Sequence, residues 1–316
     1  MTELIAADIG GTNARFVRAT ITADGRILLG KSHTYHTADH PDIASAWAAF
    51  AADEGRALPR AASLAVAAPI DGDEVRFTNS PWRFKQSALA GELGLDSVMV
   101  LNDFGAVAHA VALLDPADFI HIAGPVAPPV RRVTTISGMG TGLGVAQLLH
   151  ENGASFVIET EGGHVEFAPL DPIEQDIARN LHARFGRVST ERLVCGPGLA
   201  NIYEAFEGAA WSGDYATLWQ AAIDGGDRTA AEALDRLVLV YGSVLGDLAL
   251  AHGAHEVVIV GGLSRRIIER LKAPAFYQRF CAKGRYASRM AAMPIRLATH
   301  PEPGLLGAAA AFMRRG

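Results

Sequence analysis

The chain has 316 residues, 49% of them hydrophobic and 20% charged, with a formal net charge of -6. That apolar content over that length supports a sizeable core, excludes a disordered chain, and favours two domains or one large one. The negative balance argues against a nucleic-acid binder that works by phosphate neutralisation, and two cysteines, Cys195 and Cys281, are too few for a disulfide framework or a four-cysteine zinc site.

Such cysteine usage suits a reducing cytoplasm. No basic segment leading into an apolar stretch marks a signal peptide, and no apolar run approaches the roughly 20 residues of a membrane span, so no membrane association is expected. Residues 4–9 read as a strand that ends in Asp8 and the pair Gly10 and Gly11, followed by Thr12, Asn13 and Arg15; residues 15–20 return as its hairpin partner. Glycine pairs beside hydroxyl groups let backbone N–H groups come close to phosphate oxygens, and a carboxylate there needs a cation between it and the phosphate. On this stretch alone an ordinary tight turn is an equal reading. Residues 27–34 make a third strand, and residues 42–52 a helix with Ile43, Ala46, Trp47 and Phe50 at helical spacing. Residues 62–68 form a short apolar strand stopped by Pro69, and residues 97–101 a buried strand that runs into Asn102 and Asp103 and then a helix over 105–114. Residues 124–132 are Pro-rich and aperiodic, a loop near a domain boundary.

The second half restarts in the same style. Residues 133–137 read as a strand, "GMGTGLG" as a turn and residues 145–150 as the returning strand, a weak internal repeat of the opening hairpin. The residues after these glycines, "VAQLL", alternate as a strand does, so the dinucleotide-binding fingerprint, which opens a helix, is rejected; the G-x-x-x-x-G-K-[ST] phosphate loop does not occur. Helices are expected over 173–185, 198–207, 214–222 and 228–251. The last has Leu234, Leu237, Val238, Tyr241, Val244, Leu245 and Leu248 in one stripe, and Gly242 and Gly246 one turn apart for close packing. Residues 257–260 make a buried strand ending in Gly261 and Gly262, and residues 305–313 a closing helix.

Three strand ends that each present glycines suit a nucleotide held between two similar sheets. Asn102 and Asp103 stand at the carboxyl end of a strand, where ligands sit in open α/β sheets. Asp103 reads as a general base for a hydroxyl and Asn102 as its hydrogen-bonding partner, with helix capping as the alternative for both. "ETEGGHVEF" offers Glu161, His164 and Glu166 around a further glycine turn. The spacing is thin for zinc and suits a polyol better, because each sugar hydroxyl both donates and accepts. Glu191 in "STERL" reads either as part of that set or as a solvated residue after a helix cap.

Together these residues resemble the bacterial glucokinase family, the ATP-dependent hexose kinases of the actin-like ATPase superfamily. The resemblance runs through "DIGGTNARF", "APIDGDEVRFTNSPWRF", "LNDFGAVAHA", "GMGTGLGVA", "EGGHVEFAP", "CGPGLANIY", "GGLSRR" and "PGLLGAAA", in the family's order and over nearly the whole chain. It implies an α/β, two-domain actin-like (ribonuclease H-like) fold with an interdomain cleft: a small domain of residues 1–113 with 304–316, and a large domain of residues 114–303. It also implies roles. Asp103 matches the catalytic base, and Asn102, Glu161, His164 and Glu191 the glucose-binding positions, with Asn79 in "TNSPW" a further sugar-side candidate. Gly10, Gly11, Thr12 and Asn13, with Arg15 beside them, match the first phosphate-binding turn; Gly138, Gly140, Thr141 and Gly142 match the second; Gly261 and Gly262 match the adenosine motif. Asp8 matches the carboxylate that holds Mg2+ through water. ATP and Mg2+ are the implied nucleotide and metal, glucose the implied substrate, and a cytoplasmic homodimer the implied assembly. Met139 departs from the family, which more often has Ala there beside the phosphate turn. The Cys-rich zinc motif of the related repressor, open-reading-frame and kinase family is not found, and the first strand begins close to Met1, so a DNA-binding domain is not expected. A kinase for another hexose, a polyphosphate donor, a non-catalytic sugar sensor and a structural actin-like ATPase are the competing readings.

Overall fold

The computed structural model of the chain describes residues 1–77, 80–126 and 132–315. Asn79 and part of the Pro-rich loop expected over 124–132 lie outside the described residues. The chain divides into two units: Met1–Asp115 together with the segment from His300 onward, and Pro116–Thr299.

In the first unit β1 (Thr2–Ile9) and β2 (Asn13–Ile21) form an antiparallel hairpin whose register sets Asp8 opposite Arg15. β3 (Ile27–Leu29) and β4 (His33–His36) both pair with β2, so the single strand expected over 27–34 is two. Gly30 breaks it: its N–H donates to the Arg18 carbonyl at 2.9 Å, which draws the backbone in too close for a comfortable Cβ. On the other side of β1, β5 (Ala61–Val66) runs parallel to it. After a separate ladder of β6 (Glu74–Arg76) and β7 (Arg83–Lys85), β8 (Ser97–Asn102) adds parallel to β5. The sheet order is β3-β2-β1-β5-β8, with β4 also on β2.

Side chains of β1 alternate between two cores, as the period of two requires. Ile5, Ala7 and Ile9 join Phe16, Leu64 and the helix residues Ile43, Ala46, Trp47 and Phe50. Leu4 and Ala6 join Ala106, Leu305, Ala308 and Ala309 on the opposite face. The helix Ile43–Glu54 begins where Asp42 accepts a hydrogen bond from the Ser45 N–H and ends where Gly55 turns left-handed. The helices Asp103–Val111 and Pro303–Arg315 cover the second face.

His109 belongs to the helix Asp103–Val111, its Nδ1 buried and, among the described residues, without a hydrogen-bond partner. Burial, with a smaller contribution from the charge of Arg314, pushes its pKa from 6.5 down to about 4. The unfolded chain takes up a proton near pH 6.5 that the folded chain refuses until about pH 4, so stability is present above 6.5 and is lost as the pH falls through that window. His109→Gln, which cannot titrate, is expected to unfold at a urea midpoint that falls less between pH 7 and pH 5 than the parent's; equal falls would remove His109 as the source.

The second unit repeats the plan. β9 (Phe119–Ala123) lies at one edge. β10 (Val133–Met139) and β11 (Leu143–Glu151) form an antiparallel hairpin, and β12 (Ala154–Thr160) extends it beyond β11. β13 (Glu256–Val260) runs parallel to β10, and β14 (Ile295–Ala298) parallel to β13. The order is β12-β11-β10-β13-β14-β9. The repeat read from the sequence is therefore a repeat of topology, and the glycines of "GMGTGLG" close a hairpin. Met139 is buried in this unit's core, where its side chain packs.

The helix Arg228–Ala251 buries the expected stripe against this core. A Cβ on Gly242 would stand 2.5 Å from the Phe276 carbonyl oxygen, and Gly246 meets the Phe280 carbonyl in the same way. These glycines serve helix packing, as read. The helix Pro172–Phe185 starts at a buried ion cluster, where Arg236 and Arg279 pair with Glu174 and Asp171.

Candidate active site

In the first unit the carboxyl ends of three adjacent parallel strands lie level with one another: Ile9 is paired with Val66, and Val66 with Asn102. Asp8 and Asp103 therefore occupy the same end of one sheet, the end where α/β sheets bind ligands. Asn102 caps the helix Asp103–Val111: its Oδ1 accepts from the N–H groups of Phe104 at 2.9 Å and Gly105 at 3.1 Å. The capping reading of Asn102 is thus correct for the amide oxygen. Asp103 is the first helical residue. Its carboxylate accepts from the Phe104 N–H at 2.8 Å, and the helix N-terminus favours its negative charge.

Asp8 lies 3.3 Å from the Arg15 guanidinium. A quarter of its side-chain surface is exposed, yet burial of the carboxyl raises its pKa, and Arg15 only partly opposes this. A carboxylate under-stabilised in this way fits a hard cation such as Mg2+, which binds through one or two carboxylates together with waters and substrate phosphates. Among the described residues no group of three or more His, Cys, Asp or Glu side chains forms a closed cage for a metal. Between β1 and β2, the Gly10 N–H donates to the Asn13 carbonyl at 2.9 Å and closes the turn. Thr37 holds the turn from outside, its N–H donating to the Thr12 carbonyl at 3.0 Å and its hydroxyl to the Gly11 carbonyl at 2.6 Å.

In the second unit the Gly140 N–H donates to the Gly142 carbonyl at 2.8 Å, and the Gly196 N–H to the Gly140 carbonyl at 2.8 Å, so the turn after β10 is closed and braced. Glu161 and His164 flank the short helical turn Gly162–His164, their side chains 3.8 Å apart and each more than half exposed. Glu191 lies in a second such turn, Thr190–Arg192. The two are clipped together: the Thr190 hydroxyl donates to the Gly163 carbonyl at 2.7 Å, the Thr190 N–H to the Val165 carbonyl at 2.9 Å, and Arg187 to the His164 carbonyl at 2.9 Å. Ser189 makes no side-chain cap; Thr190 is the tether instead. Glu166 belongs to the same junction, in an antiparallel bridge to Ser189 and paired with Arg187 at 3.4 Å. The Glu191 carboxylate accepts from the Leu143 N–H at 2.8 Å, which joins it to the turn after β10.

The glycines sort by what a Cβ would meet. Gly140 and Gly262 would meet nothing within 4 Å, and Gly10 only an ordinary contact at 3.7 Å. The fold places no steric demand for glycine at these three positions. Gly261 is different: it has φ 97°, and a Cβ there would stand 3.1 Å from the Met139 carbonyl oxygen, where β10 and β13 end side by side. A Cβ on Gly304 would stand 2.7 Å from the Asp8 carboxyl group.

Two hairpin-led sheets of matching topology, each with a glycine turn at the hairpin and helices packed against it, define the actin-like ATPase fold. The solved structures agree: a glucokinase from an Antarctic psychrotroph superposes with TM-score 0.83 at 31% identity over 100% of both chains. A glucokinase of the ROK family from Streptomyces griseus, in complex with glucose and AMPPNP, does so with TM-score 0.63 at 20% identity, covering 99% of this chain and 100% of that one. The sequence profile of the glucokinase family matches residues 5–315. A curated glucokinase of Zymomonas mobilis is 50% identical over 319 aligned residues, 99% of this chain and 98% of that protein. The chain belongs to the glucokinase family.

Sequence reasoning missed three contributors: Thr190 as the tether, Leu143 as a backbone donor, and Gly304 as the wall behind Asp8. The closing helix, expected over 305–313, begins at Pro303, which brings Gly304 into its first turn. Among the described residues no helix is long and apolar enough to cross a membrane.

Proposed function

We propose that the chain is an ATP-dependent glucokinase, moving the γ-phosphoryl group of ATP to the 6-hydroxyl of D-glucose to give glucose 6-phosphate and ADP, the first step of glycolysis. The full-length identity of 50% with a curated glucokinase carries this reading. In it Asp103 is the general base: its carboxylate takes the proton of the 6-hydroxyl as that oxygen bonds to the γ-phosphorus and the bond to the ADP oxygen breaks. Nδ2 of Asn102 donates to a sugar hydroxyl, and Glu161, His164 and Glu191, with Asn79, supply the mixed donors and acceptors that a polyol needs. Backbone N–H groups of the turn holding Gly10, Gly11, Thr12 and Asn13, with Arg15 beside it, and of the turn holding Gly138, Gly140, Thr141 and Gly142, take the phosphates; Gly261 and Gly262 take the adenosine side. Asp8 is the residue that would hold Mg2+, whose charge offsets that of the transferring phosphoryl group when bound. The two units serve as the two domains, and the protein acts as a cytoplasmic homodimer.

Purified protein supplied with MgATP and, in turn, glucose, fructose, mannose, N-acetylglucosamine and N-acetylmannosamine is expected to release ADP selectively with glucose. Preference for another hexose would keep the chemistry and overturn the substrate. Tight sugar binding without turnover would overturn the enzyme reading in favour of a sensor. In the same assay Glu161→Ala is expected to raise the KM for glucose roughly 10- to 100-fold, the worth of one hydrogen bond to a charged group, with the KM for ATP little changed.

A further inference from the structure

Gly142 closes the turn that the family resemblance gives to phosphate, yet its surroundings point elsewhere. Its φ lies outside the left-handed region, so the turn conformation does not call for glycine. A Cβ there would run into the Glu191 carboxylate, reaching the space of Oε2 and standing 3.1 Å from Cδ. The same carboxylate accepts from the N–H of the next residue, Leu143, at 2.8 Å, so that N–H is directed to Glu191 and away from a phosphate. The Leu143 carbonyl, in turn, fills the space that a side chain on Gly163 would need, and Gly163 belongs to the turn carrying Glu161 and His164. Gly140, two residues earlier, has open space beside it. One turn therefore has two faces: an open one at Gly140 and an occupied one at Gly142–Leu143.

We propose that Gly142 and the Leu143 N–H form a seat that positions Glu191 for the sugar, so that the end of the second glycine turn serves the acceptor site and couples it to the phosphate-binding part of the same turn. This rests on the reading of Glu191 as a sugar-binding residue. Toward the sugar Gly142 is a positioning residue: it acts through Glu191. The obstacle to a larger residue is the end of a flexible side chain and not backbone, so Gly142→Ala displaces the carboxylate without demanding a change of fold.

The test is a double-mutant cycle read by calorimetric glucose binding and by the two KM values. Gly142→Ala is expected to weaken glucose binding by about tenfold or more, the loss that follows from misplacing one charged hydrogen-bonding group, and to change the KM for ATP much less. In a Glu191→Ala background the same substitution should add nothing to the glucose constant, because the group it displaces is gone. A rise confined to the KM for ATP, or a full additive loss in the Glu191→Ala background, overturns the seat. If Glu191→Ala alone leaves glucose binding unchanged, the sugar role of Glu191 fails instead, which separates the two failures. Should Gly142→Ala not fold, folding of the double variant supports the seat, since removing Glu191 relieves the clash; failure of both to fold overturns it.

Discussion

Asp103→Asn is expected to lower kcat by about 10²–10⁴-fold, the usual contribution of a positioned general base, while the dissociation constants for glucose and ATP stay near those of the parent. The substitution keeps the backbone contact that the side chain makes at the helix start. The amide oxygen of Asn can still accept the Phe104 N–H that Asp103 holds at 2.8 Å, and the helix cap is supplied separately by Asn102. The basicity is removed, and with it the negative charge that the helix N-terminus favours. The pH dependence gives a second readout with a fixed sign: a base must be deprotonated to act, so kcat of the parent falls on acidification, and that acid limb should flatten in the variant. Steady-state rates with saturating MgATP, calorimetric glucose binding and a thermal melt together decide it. A variant that melts with the parent, binds glucose and keeps near-parental kcat would remove Asp103 from the base role and return the residue to helix initiation alone.

What the sequence made legible follows from the range of the forces involved. The two hairpins were legible because strand alternation and glycine turns are local, and the long helix Arg228–Ala251 because seven apolar positions repeat with one period. The short strands β6, β7, β9 and β14 were not: three to five residues carry too little pattern, and they exist because a neighbouring strand presents a free edge. The same divide runs through the site. Asn102 could be read as a cap or as a ligand because both uses are written in one dipeptide, and the structure assigns the amide oxygen to the cap. Glycines read as turn residues divide differently once space is known. Gly140 and Gly262 stand open, whereas Gly142 and Gly304 are hemmed in by the carboxyl groups of Glu191 and Asp8, which lie far off in the chain. No local pattern shows that Gly304 makes room for a carboxylate almost the full length of the chain away.

Gly307→Ala is expected to cost the protein about 3 kcal/mol of stability, at the upper end of what overpacking a buried site costs, and to impair catalysis in whatever fraction still folds. Gly307 lies in the helix Pro303–Arg315, and a Cβ there would land on the carbonyl oxygen of Ala106, 3.1 Å from the Ala106 Cα. The atom it meets is backbone, so no rotamer change relieves the clash; one helix must move. The helix that carries Ala106 is Asp103–Val111, whose first residue is the proposed base. The flanking residues Ala308, Ala309 and Ala311 are buried with Ala106, so close approach over small side chains is how this face of the first unit is packed. Moving the helix therefore shifts Asp103 relative to the strand ends at Ile9 and Val66, and a displacement near 1 Å of a catalytic group is enough to cost about 10²-fold in rate. Chemical denaturation measures the first effect and kcat per folded molecule the second. Gly304→Ala in the same helix gives the contrast, since it meets the Asp8 side chain and not backbone: it should disturb the nucleotide and metal dependence of the rate more than the stability. If Gly307→Ala is as stable as the parent, the packing of these two helices does not hold Asp103 in place, and the position of the base has to come from β8 and its cap alone.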